Sequence, residues 1–181
     1  MRLIYLMAFM ALGAPAFAQE VQFDYNCSAS FNTYRTYQWL PDQAVPVGGE
    51  ILDRNIKRAV DEQLSSKGLQ RVEIGGDLLV AYQAEIKQEK GSASNFGAAR
   101  IATSTIDIGR LVVELSEQVT RQVIWRGSAS KAAYATVDIG RNPDEVYRCL
   151  ARPVAKLFRN YPPRMGKRYN CSPKAQNDSR D

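Results

Sequence analysis

The sequence predicts an α+β fold: an antiparallel sheet of about four strands with two helices packed on one face. Three observations carry that prediction. The stretch 109–127, GRLVVELSEQVTRQVIWRG, reads as two strands and a tight connection, with Leu111, Val113 and Leu115 on one face of the first and Val123 and Trp125 on one face of the second. Residues 77–89, DLLVAYQAEIKQE, alternate over their whole length. Residues 50–67 and 142–158 instead repeat apolar side chains at helical spacing.

In chain order, residues 21–25 (VQFDY) alternate as a first strand, and 26–32 are polar and turn-like. Residues 34–40 (YRTYQWL) resume strand character, with Tyr34, Thr36 and Gln38 on one face and Arg35, Tyr37 and Trp39 on the other. The aromatic cluster of Phe31, Tyr34, Tyr37 and Trp39 is either a contact platform or ordinary core and rim packing. Proline and glycine make 41–49 a loop. In the helix that follows, Leu52, Ile56, Ala59, Val60 and Leu64 form the apolar stripe. Glu50 and Asp53 in its first turn and Lys67 in its last suit the helix dipole. Gly68 is placed to end the helix in a Schellman cap, with Leu64 and Leu69 as its hydrophobic pair.

Leu78, Val80, Tyr82, Ala84 and Ile86 then form the buried wall of the long strand, and Gln83, Glu85, Lys87 and Glu89 belong to the wet one. The small, flexible stretch 90–104 is either an idle loop or a lid over a binding site. Beyond it, Ile106 and Ile108 are apolar at even positions but Leu111, Val113 and Leu115 at odd ones, a phase slip that predicts a β-bulge at Gly109. Residues 116–120 turn the chain and 121–135 return as the last strand. Asn142, Pro143, Asp144 and Glu145 open the second helix as N-cap, N1 and acidic first turn. Val146, Leu150, Val154, Leu157 and Phe158 are its apolar face, and Pro153 is expected to kink it by removing the hydrogen bond to the Cys149 carbonyl. Tyr161, Pro162 and Pro163 end it.

The two ends of the chain lie outside this domain of residues 19–163. Arg2, the apolar run 3–12 and the A-x-A site at residues 16–18 form a secretory signal peptide, expected to be cut after Ala18. Without Arg2, the 24 basic side chains fall to 23 against 19 acidic, a net +4, too mild to indicate nucleic acid. No second apolar run of about 18 residues follows, so no transmembrane segment is expected after signal removal. Cys27, the first cysteine, is too far from the cleavage site for lipidation, so a periplasmic protein without a lipid anchor is expected. Residues 164–181 form a basic tail, expected to be disordered, in which Arg164, Lys167, Arg168, Lys174 and Arg180 face Asp178 and Asp181, a net +3. In an oxidising compartment the three cysteines suggest one bridge and one thiol. Cys27 and Cys171, in polar segments, are the expected disulfide, and Cys149, on the apolar face of the second helix, the thiol.

The pieces assembled here resemble the bacterial envelope family described as domain of unknown function 4136. The resemblance rests on Phe31 with YRTYQW at 34–39, KG at 67–68, DLLVAY at 77–82, GRLVV at 109–113, VIWRG at 123–127 and YPP at 161–163. It implies an α/β fold of exported proteins, many of them lipoproteins, without an established activity and with no catalytic residues to carry over. This chain departs from the family in lacking a lipidated cysteine, at Pro153 and in its tail.

The chain contains no histidine, which removes Ser-His-Asp and Cys-His nucleophile systems and histidine metal sites. Ser128 to Lys131 fits S-x-x-K, but at a strand end rather than at the opening of a helix, where that motif works. Glu114 and Glu117, flanking the turn, are expected to be solvated. Gly75 and Gly76 make a turn and not a phosphate loop, because no Lys-Ser or Lys-Thr follows. No catalytic residue, cofactor or metal is therefore expected. The reading that remains is an exported, non-catalytic binding or accessory module whose partner is an envelope protein or an anionic envelope surface. Tyr34, Tyr37, Trp39, Arg164, Lys167 and Arg168 are its candidate contact surface. The alternatives are a carrier of a small apolar ligand or lipid, which needs a cavity between sheet and helices, and a hydrolase using carboxylates or a Ser-Lys pair.

Overall fold

A computed structural model describes residues 20–41, 49–90, 104–137 and 143–163. In order, the elements are β1 (Val21–Tyr25), β2 (Thr36–Trp39), α1 (Gly49–Ser66), β3 (Gln70–Arg71), β4 (Leu78–Lys90), β5 (Ser104–Glu117), β6 (Val123–Val137) and α2 (Pro143–Leu157), closed by a 3-10 turn at Phe158–Asn160. The fold is α+β, with both helices contributing to a single core against one face of the sheet.

The sheet differs from expectation in size and direction. It has six strands in the order β1-β6-β5-β4-β2-β3, and β2 runs parallel to both β3 and β4. The other pairings are antiparallel. The cause is the crossover: an 18-residue helix is about 27 Å long and carries the chain back to the end of the sheet where β2 began. Alternation in a sequence reports which face a side chain takes and not which way its strand runs.

Polar contacts hold the parallel pair in register. The backbone N–H groups of Arg35 and Thr36 donate to Asp77 Oδ2 at 2.8 and 2.9 Å, and the Asp77 N–H donates to Thr36 Oγ1 at 3.0 Å. The two N–H bonds favour the ionised carboxylate and hold the Asp77 carboxyl below its ordinary value. The Gly76 N–H donates to Gln38 Oε1 at 3.0 Å. A Cβ on Gly76 would lie 2.7 Å from the Tyr37 carbonyl carbon and 2.7 Å from the Gln38 nitrogen, so this loop seats against β2 only with glycine there.

The Schellman cap of α1 forms as expected. Gly68 has φ +86°, its N–H donates to the Ser65 carbonyl at 2.9 Å, and the Leu69 N–H donates to the Leu64 carbonyl at 3.1 Å.

In β5 the extra residue is Gly109: the register with β4 jumps from Glu85 opposite Arg110 to Ile86 opposite Ile108. The backbone there is not left-handed, and a Cβ would meet only the Glu85 carbonyl oxygen at 3.8 Å. The bulge therefore does not require glycine. A second irregularity falls at Ile124, between the pairs Leu115–Trp125 and Ser116–Val123. It separates Val123 from Trp125, which the alternation had put on one face: Val123 is 41% exposed, while Ile124 and Trp125 are buried.

Trp125 organises the core beneath α2. Its ring stacks on Phe158 at 5.0 Å between centroids and meets the edge of Tyr161 at 5.6 Å. Val146, Leu150, Val154 and Leu157 close over it, all buried, and Pro153 is buried within the same helix. Gly127 lies directly under the ring, where a Cβ would approach Trp125 Cη2 to 2.4 Å and Leu157 Cγ to 2.9 Å.

Candidate functional site

The structure assigns the aromatics of β2 to packing. Tyr37 is 1% exposed, in the core, so it is no contact platform. Its hydroxyl donates to Asp61 Oδ1 at 2.8 Å, and the Trp39 indole N–H donates to the same oxygen at 2.9 Å. Asp61 Oδ2 accepts from Arg71 at 3.0 Å. Two turns earlier on α1, Asp53 accepts from the Tyr82 hydroxyl at 2.7 Å and from Lys57 at 3.0 Å, and the Lys57 ammonium stands 5.7 Å from the centre of the Trp39 ring. These groups form a ladder that fastens α1 to β2 and β4. Burial, then the hydrogen bonds to Asp61 and Asp53, raises the Tyr37 and Tyr82 hydroxyls above their ordinary pKa. Tyr34, half-buried, donates to Glu117 at 3.3 Å. Glu117 also accepts from Thr120, and Glu114 lies mid-strand in an ion pair with Arg126, so neither is simply solvated.

The polar groups left over lie on the opposite, helix-free face. The register sets them in rows across four strands. Gln22, Ser128, Val112 and Gln83 make one row; Asp24, Arg126, Glu114 and Ala81 make the next; Ser130, Arg110 and Glu85 flank the other side. Four strands span about 14 Å. Between these side chains runs a trough with a cavity volume of about 560 Å³, lined by Gln22, Asp24, Gln83, Glu85, Arg110, Val112, Arg126 and Ser128. Arg126 is committed to Glu114, and Asp24 caps the Tyr25 N–H at 2.8 Å. Arg110 and Glu85 are exposed and form no ion pair among the described residues, although they stand opposite each other in the register. Chemically the trough offers amides, a hydroxyl, a free guanidinium and a free carboxylate over a valine floor. That is a surface for hydrogen bonding and charge pairing.

Sequence reasoning missed this site because its residues occupy the outward phase of ordinary amphipathic strands. Their polar alternation was visible, but only the register between strands four elements apart brings Gln22 near Gln83.

Of the other expected features, Cys27 is disulfide-bonded and Cys149 is a free, half-buried thiol whose pKa is raised by burial. Ser128 lies within strand β6, not at a helix opening. Arg164, Lys167, Arg168 and Cys171 lie outside the described residues, as do the signal segment 1–18, the stretch 91–103 and the tail. Among the described residues no group of three His, Cys, Asp or Glu side chains is placed to hold a metal, and no helix is long and apolar enough to cross a membrane.

The sequence profile of the family described as Domain of unknown function (DUF4136) matches residues 21–163, from the first strand to the end of the fold. The chain belongs to this family. Solved structures that the DUF4136 chain resembles include a PDZ domain protein from Parabacteroides distasonis, at 13% identity and TM-score 0.47, covering 78% of this chain and 35% of that longer one. Another is the PelC dodecamer from Paraburkholderia phytofirmans, at 8% identity and TM-score 0.48, covering 77% of this chain and 97% of that one. A DUF4136 family protein from Bacteroides thetaiotaomicron is similar at 15% identity and TM-score 0.41, covering 76% and 97%. No curated protein matches the chain.

Proposed function

We propose that this DUF4136 protein is an exported, non-catalytic binding module that holds a polar segment of another envelope protein in the trough on its helix-free sheet face. One observation carries the reading: the trough gathers the Gln83 amide, the Arg110 guanidinium and the Glu85 carboxylate, none of them in a hydrogen bond or ion pair among the described residues, beside groups such as Gln22 that the fold already uses. Buried or paired polar groups are the ordinary result of folding, and a cleft of unspent ones is suited to a partner. The absence of histidine from all 181 residues supports binding over catalysis. An apolar carrier fits less well. The space between sheet and helices is filled by Trp125, Tyr37, Phe158 and Leu150, each no more than 1% exposed.

The proposed compartment is the periplasm, reached through the signal segment. The disulfide at Cys27 suits an oxidising environment, with Cys171 its proposed partner.

The test compares the immobilised mature protein with an Arg110→Glu, Gln83→Arg double variant in binding to detergent extract of the envelope. Both positions are exposed, so the fold should survive, and the thermal midpoint checks that it does. The reading requires a partner retained by the parent and lost by the variant. An identical retained set would overturn it.

A further inference from the structure

We propose that the outer face of α2 docks on the anionic headgroups of a lipid surface. Arg148, Arg152, Lys156 and Arg159 are all exposed and follow one another at intervals of four, four and three residues. At 100° per residue Arg148, Arg152 and Lys156 fall within about 80° of one another on α2 and span about 12 Å, and Arg159 follows in the 3-10 turn that closes it. Ala155, about 20° outside this arc, is also exposed and leaves that flank of the row low. From Val146 to Pro163 the chain has no acidic residue.

Two ordinary explanations account for only part of the row. Cations favour a helix C-terminus, but that attraction fades within the last turn. It covers Lys156 and Arg159 and leaves Arg148 and Arg152, which lie further upstream. Pairing with nearby acids is the second explanation, and it describes α1: Lys57 is paired with Asp53, and Arg58 with Glu62 and Asp144. Arg152, Lys156 and Arg159 have no such partner among the described residues.

The charge of the row complements anionic headgroups. The next residues in the chain are the basic segment beginning at Arg164, with a net +3 over 164–181. Cations along a helix, spaced closer than two Debye lengths, act together on a surface of phosphate charges, each contributing about a fivefold gain in partition. Because α2 packs on the side of the sheet opposite the trough, this docking turns the trough away from the lipid and toward the compartment. The inference does not depend on what the trough binds.

The experiment is co-sedimentation of the full mature chain with vesicles of phosphatidylcholine containing phosphatidylglycerol, and with phosphatidylcholine alone. It is repeated for an Arg152→Gln, Lys156→Gln, Arg159→Gln variant and for a chain shortened after Cys171 with Arg164, Lys167 and Arg168 changed to glutamine, which keeps the proposed bridge to Cys27. The parent is expected to bind the anionic vesicles only, and to be released above about 0.3 M salt. The triple variant is expected to bind about 100-fold more weakly, and the shortened chain to retain the helix-dependent share. An unchanged thermal midpoint shows the triple variant to be folded. If the folded triple variant binds like the parent, if the shortened chain loses all binding, or if the parent ignores anionic vesicles, the proposal is overturned. Should the triple variant fail to fold, the three single substitutions replace it, each expected to cost about fivefold; no loss in any of them overturns the proposal equally.

Discussion

Replacing Gly127 with alanine tests the packing at the centre of the fold. The added Cβ would stand 2.4 Å from Trp125 Cη2, 2.9 Å from Trp125 Cζ2 and 2.9 Å from Leu157 Cγ. Carbon atoms rest at about 3.5–4.0 Å, so the approach to the ring is short by about 1 Å. The ring cannot tilt away cheaply, since it is fully buried and held against Phe158 at 5.0 Å and Tyr161 at 5.6 Å. Helix α2 must lift instead, loosening Leu157 and Phe158. Overpacking of this kind costs about 1–3 kcal/mol. At about 3 °C per kcal/mol for a domain of this size, the thermal midpoint should fall by about 3–9 °C. Gly109→Ala is the control, because its Cβ has only the Glu85 oxygen at 3.8 Å and its backbone suits any residue. That change should be neutral or stabilise by up to ~1 kcal/mol, as strand glycines do when replaced. Calorimetry or urea unfolding of the two variants measures the difference. If Gly127→Ala melts with the parent, or Gly109→Ala is the worse of the two, the packing argument is wrong.

Three further expectations follow from the polar contacts. Asp61→Ala strips the acceptor from the buried Tyr37 hydroxyl and from the Trp39 N–H, and should cost about 1–3 kcal/mol in urea unfolding. Tyr37, Tyr82 and Tyr161 have pKa values raised by burial, so the fold favours their neutral form more strongly than the unfolded chain does. The stability this gives is complete below the unfolded value of about 10 and is lost as pH rises beyond it. Absorbance at 295 nm should show them ionising together with unfolding, and a smooth titration of every tyrosine in the folded protein would contradict that. Asp77 has the opposite sign: its folded pKa is depressed, so its contribution is present above about pH 4 and lost as pH falls through the folded value. An Asp77→Asn variant should show a flatter loss of stability below about pH 4 than the parent does.

The elements of the fold were legible because each carries its own period. The stripe of α1, the cap at Gly68 and the slip at Gly109 are local signals, and each occurs where the residues place it. What local signals omit is partnership. The YRTYQW and DLLVAY segments read as strands, but that they lie parallel, clamped through Asp77 and Gly76, depends on the path of the helix between them. Val123, Ile124 and Trp125 are all apolar, so no phase change marked the second bulge. Tyr37 and Trp39 looked available because the carboxylate that receives them, Asp61, sits on a helix about 22 residues downstream with an ordinary polar side chain. The trough was hidden for the same reason: Gln22, Gln83 and Ser128 become neighbours only through strand order.

The helix-free face is the surface we propose to meet a partner. A photo-cross-linking residue at Gln83, inside the trough, tests it in intact cells, with Glu73 as the comparison because its side chain is 89% exposed in the loop before β4. A discrete cross-linked protein is expected from position 83, absent from position 73, and abolished when Arg110 is changed to glutamate. Cross-linking from position 73 but not from position 83, or a product indifferent to Arg110, would contradict it.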